Sequence, residues 1–143
     1  MSTFFAVRDQ IAEKLKDIPD FKVIYTPANS VKVQEMSQIV PSAHVNFVTL
    51  TKSSGSSRGD LSQLKQQWAV SIACRNASSQ VTNGNVLNDE IGLLANKVIK
   101  LLQGWEYEEF TEPLKLVNIR DGYSVGFAYM TIIFESEMFI GRN

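Results

Sequence analysis

The chain has 143 residues, 44% hydrophobic and 20% charged, a size and balance expected of one globular domain that buries roughly 70% of its unfolded surface without any staple. Fourteen basic residues against fifteen acidic ones leave a net charge of −1, which gives no general attraction to nucleic acid or to anionic membrane. The single cysteine, Cys74, excludes an intrachain disulfide. No apolar run forms a signal-peptide core or approaches the roughly 20 residues of a membrane span, so a soluble intracellular protein is the expectation.

Ser2 or Thr3 can cap a first helix, in which Phe4, Val7, Ile11, Leu15 and Ile18 recur at helical spacing and Pro19 lies just past the end. Phe21–Tyr25 reads as a short strand closed by Thr26-Pro27-Ala28-Asn29. Ser30–Ile39 fits a short helix or a loop equally well. Ala43–Thr51 alternates Val45 and Phe47 with Asn46, Val48 and Leu50, a strand apolar enough on both sides to be central or covered.

The composition then changes. Thr51–Ser62 holds two glycines and five serines and has little to bury, which predicts a flexible connection at 51–62 between two strands. A structureless excursion of that length inside a domain is usually functional or disordered. Lys65–Asn76 follows as a second central strand, with Trp68, Val70, Ile72 and Cys74 opposite Gln67, Ala69, Ser71 and Ala73. The small Ala/Ser face predicts close packing of a helix there. Asn76–Asn85 is a polar turn, and Val86–Leu102 is an amphipathic helix with Leu87, Ile91, Leu94, Val98 and Leu101/Leu102 on one face and Gly104 as its C-cap. Four glutamates, Glu106, Glu108, Glu109 and Glu112, then surround Tyr107 and Phe110. Leu114–Arg120 and Tyr123–Ile140 close the chain as strands, with Asp121-Gly122 as the predicted hairpin turn. The whole is an α+β domain spanning 1–143, a mixed or mainly antiparallel sheet of about five strands covered by two main helices.

No phosphate-cradling glycine loop, zinc spacing or nucleophile elbow occurs, so no catalytic, cofactor or metal residue is assigned. His44 is the only histidine and stands at a strand start, which fits a structural role better than a catalytic base. Cys74 lies in an apolar alternation, and the charge of Arg75 projects from the other face. The glutamates lack the spacing of a calcium loop and read as a solvated or protein-contacting patch. Trp68, Trp105 and Tyr107 have no basic stripe beside them, so specific nucleic-acid binding is not expected. Arg58-Gly59-Asp60 matches an adhesion tripeptide and Asn76-Ala77-Ser78 a glycosylation sequon, and neither has meaning without a secretion signal.

Three parts together resemble the tail-terminator, or tail-completion, proteins of long-tailed phages, including the minor tail protein U type and related prophage proteins. They are the helix Thr3–Lys16, the strand Gln67–Cys74 leading into helix Val86–Leu102 with Gly104-Trp105, and the closing strand Val125–Phe139. The resemblance covers most of the chain as an order of elements, while its residue motifs are diffuse. It implies a structural protein of the virion tail, present in the bacterial cytoplasm during assembly, that forms a homo-hexameric ring. The ring would end tube polymerisation, and its implied partners are further copies of itself, the tail-tube protein and a neck or head-completion protein, with no membrane and no enzyme activity. Composition, not the resemblance, marks the candidate contact residues: Lys52, Arg58 and Asp60 in the Ser/Gly-rich segment, and Glu106, Glu108, Glu109 and Glu112 after the second helix. The second reading is a small intracellular enzyme or ligand-binding domain with a pocket between sheet and helix around His44 or Cys74.

Overall fold

The computed structural model describes residues 5–27, 38–55, 58–75, 84–107, 112–124 and 126–141. Helix α1 is Ala6–Leu15, strands β1, β2 and β3 are Val23–Tyr25, Ser42–Gly55 and Leu61–Arg75, helix α2 is Gly84–Leu102, and β4 and β5 are Lys115–Ser124 and Phe127–Gly141. The five strands form one sheet in the order β1-β2-β3-β5-β4. Only β1 and β2 run parallel; the other three pairs are antiparallel, which gives the expected α+β fold with a mixed, mostly antiparallel sheet.

Both helices lie on one face of the sheet. Val7, Ile11 and Leu15, one helical turn apart, point from α1 into the core, and Ile91, Leu94, Ala95, Val98 and Leu102 do so from α2. They meet Ala43 and Val45 of β2, Trp68, Val70, Ile72 and Cys74 of β3, and Ala128, Ile132 and Phe134 of β5. The helices therefore cover the large side chains of β3 and not its Ala/Ser face, contrary to the sequence expectation. Apolar area decides this: burying Trp68 and Ile72 removes far more surface from water than burying Ala69 and Ser71.

The helix ends are tied locally. The cap expected from Ser2 or Thr3 lies outside the described residues; α1 is preceded by Phe5 with no side-chain cap. At its other end, successive bonds from Lys16, Asp17 and Ile18 back to Glu13, Lys14 and Leu15 tighten the last turn before Pro19. Gly104 leaves α2 at φ +80°, a conformation that suits glycine. Its N–H bonds Leu114 O at 2.8 Å, and Leu114 N–H returns to Trp105 O at 2.9 Å, so the helix exit is fastened to the entry of β4.

Two connections differ from the sequence reading. Strand β2 runs on through Gly55 and pairs Thr51, Lys52, Ser54 and Gly55 with Lys65, Leu64, Gln63 and Ser62, which leaves only residues 56–60 between β2 and β3. Serine and glycine bring little apolar area, but their backbones ladder normally once a long partner strand lies alongside. Asp121-Gly122 is not a turn either: Asp121 pairs with Met130 and Gly122 with Tyr129 inside the β4–β5 ladder. The chain reverses past Ser124, where Gly126 has φ +91°. The Ser30–Ile39 element up to residue 37, and the turn at 76–83, lie outside the described residues.

Candidate functional site

Strands β2, β3 and β5 have 14, 15 and 15 residues and form a three-stranded arm. The helices cover its root, where Trp68 and Phe134 are fully buried. From Phe47, which lies beside Trp68, outward, large apolar side chains come to the surface: Phe47, Val48 and Leu50 on β2, Leu61 on β3, and Phe139 and Ile140 on β5. A second group lies on β4, the far edge of the sheet, with Val117, Ile119 and Tyr123 exposed. Sequence reasoning missed both groups. The signal was present in Ala43–Thr51, read as apolar enough on both sides to be central or covered, whereas within this chain Val48 and Leu50 remain 43% and 41% exposed.

The structure places Lys52, Arg58 and Asp60 at the end of this arm. Lys52 and Arg58 are exposed and Asp60 is half-buried. The end of the Lys52 side chain folds over Gly55, where a Cβ would stand 2.8 Å from its Cε. Glu106 is exposed after α2. Glu112 forms an ion pair with Lys115, whose ammonium holds the Glu112 carboxyl below its ordinary range, with smaller contributions from a hydrogen bond to Glu137 and the charge of Lys65. Lys65 and Glu137 are register partners in the middle of the arm, so Glu112 sits about 13 Å, four strand residues, short of Leu61 at the arm end. Arg58 and Glu112 thus lie apart along the arm. Glu108 and Glu109 lie outside the described residues.

The sheet's other face carries a polar and aromatic cluster. The His44 ring stacks on Tyr25 with centroids 4.7 Å apart. Its Nε2 donates to Gln38 Oε1 at 3.0 Å, and Gln38 Nε2 donates to the Tyr129 hydroxyl at 2.9 Å. Ser71 and Thr131, paired in register, share a hydrogen bond of 2.8 Å. Burial lowers the pKa of His44. Cys74 projects from the opposite face, where burial and then the charge of Glu90 push its thiol up to about 12. His44 and Cys74 are therefore separated by the sheet, with Cys74 on the face that the helices cover and His44 on the other. A groove of about 430 Å³ does exist beside the end of α1, but Asp17, Ile18, Pro19, Asp20, Lys97, Lys100 and Leu101 line it. Two of its charges neutralise each other, since Lys97 Nζ bonds both Asp20 oxygens at 2.9 and 3.0 Å. Among the described residues no helix is long and apolar enough to cross a membrane.

The sequence matches the family model for the phage tail terminator protein over residues 1–143, the whole chain. No curated protein matches it. The chain belongs to the phage tail terminator family, and its role is that of a structural component of the phage tail.

Proposed function

From that membership as premise, we propose that the protein closes the end of the tail tube as a homo-hexameric ring, stops tube polymerisation and offers a surface to a neck or head-completion protein. The observation that supports this reading is the arm. Large apolar side chains of β2, β3 and β5 are left exposed by their own chain, and clustered apolar surface is normally covered by another protein. Structural work of this sort requires surfaces and no chemistry, in keeping with a buried cysteine whose thiol is pushed up to about 12 and a histidine held by Tyr25 and Gln38.

In this reading Lys52, Arg58 and Asp60 act with Leu61 at the arm end in contacts to the neighbouring tail components. Glu106, Glu108, Glu109 and Glu112 form a second, charge-based contact, from which Lys115 already withdraws part of the charge of Glu112. The test is complementation of a terminator-deficient phage with Leu61→Asp and Arg58→Glu. Overlong or headless tails from folded variants support the reading, and normal virions from both would end it.

A further inference from the structure

Among the described residues the sheet has two backbone edges with no strand beside them. β1 pairs with β2 only at Ser42, Ala43 and His44, so among the described residues no strand lies along the outer side of β2 from Val45 onward. At the other end, no described strand lies along the outer side of β4. Natural proteins blunt such edges with charges or proline, because an open strand recruits another chain. From Val45 to Thr51, β2 carries neither a charged residue nor a proline.

Exposed apolar side chains accompany both edges: Val48 and Leu50 on β2, and Val117 and Ile119, 46% and 42% exposed, on β4. Backbone and side chains thus mark the same two strands independently. Each strand is also bulged, β2 between Phe47 and Thr49 and β4 between Leu116 and Asn118. Val48 and Val117 are the residues these bulges skip. A bulge bends and twists a strand, which is how a sheet acquires the curvature needed for closure.

Strand direction fits a joint between copies. Three successive antiparallel pairings leave β4 antiparallel to β2. Copies rotated about an axis near the strand direction keep those directions, so β4 of one meets β2 of the next as an antiparallel pair. We infer that copies of this chain join edge to edge, β4 of one running antiparallel along β2 of the next over Val45–Thr51. The inference rests on the ring reading and specifies its interface. Because β1 already occupies β2 at Ser42–His44, the neighbour is displaced toward the arm end, and such a stagger tilts the strands in a closed sheet. The contact is heterologous, using different surfaces on the two sides, as a ring requires.

The test uses Val48→Cys and Val117→Cys with a flexible bifunctional maleimide, in a protein whose own Cys74 is buried. The double variant should give a covalent ladder in steps of one chain, a mixture of the two single variants should stop at dimers, and each single variant alone should give none. In the unmodified protein, the amides of Val45–Thr51 and Lys115–Ser124 should exchange at least about tenfold more slowly in the oligomer than in the dilute monomer. An oligomer of ring mass without these cross-links and without this protection overturns the edge joint and leaves the ring reading standing, as does self-cross-linking of Val48→Cys alone. Absence of any oligomer, both free and at tube ends, overturns both.

Discussion

Trp68 donates its indole N–H to Ser136 Oγ at 2.9 Å, deep under the sheet face where the arm leaves the helices. Ser136 passes the polarity on, donating to Gln66 Oε1 at 3.0 Å, and all three residues are buried. A hydroxyl that serves as acceptor and donor at once satisfies the indole N–H and the Gln66 side-chain oxygen in an apolar interior. Ser136→Ala leaves the Trp68 N–H and Gln66 Oε1 without this partner, at a cost of about 1–3 kcal/mol. Thermal unfolding should show a Tm lower by roughly 3–9 °C for a chain of this size. An unchanged Tm would mean that the network contributes nothing.

Acidification should act through His44. Burial holds its folded pKa below the ordinary 6.5, so the unfolded chain binds the proton first as pH falls. The stability tied to neutral His44 is complete above 6.5 and is lost as pH drops from 6.5 toward the folded pKa. The fall in Tm from about pH 7.5 to about pH 5.5 should accordingly be smaller in His44→Gln than in the unmodified protein. Equal falls would assign the acid sensitivity to other groups.

With its thiol pushed up to about 12, Cys74 should be inert in the native state. At about pH 8 a thiol reagent should modify it at least ~100-fold more slowly than in denaturant. Rapid native labelling would show that the thiol is open to solvent.

Gly104 adopts φ +80°, and no atom lies within 4 Å of where a Cβ would stand. The cost of Gly104→Ala is thus conformational alone, about 1–2 kcal/mol. A loss of that size in chemical denaturation, with the denaturant slope unchanged, is the expected outcome.

Much of the core could be read from spacing. Val7, Ile11 and Leu15, and Ile91, Leu94 and Val98, repeat at a helical period and are buried as that period requires. Trp68, Val70, Ile72 and Cys74 repeat every second residue and share one face. What failed depended on the strand lying opposite and not on the residues' own preferences. Asp121-Gly122 carries a strong local turn preference, yet Met130 and Tyr129 lie opposite and hold it in the ladder. Thr51–Gly55 looked structureless because serine and glycine report nothing about the strand beside them. The exposed apolar side chains of β2 and β4 were hidden for a related reason: periodicity says that Val48 and Leu50 are apolar, and not whether their own chain covers them. The charged candidates came from composition alone, and the structure spreads Arg58 and Glu112 along the arm.

The most direct test of the central claim is tube length. Purified protein added to tail-tube protein during polymerisation, and viewed by electron microscopy, should halt growth and leave a ring of density at one end of each tube. Tubes that continue to lengthen, or carry the protein along their sides with bare ends, would contradict the account.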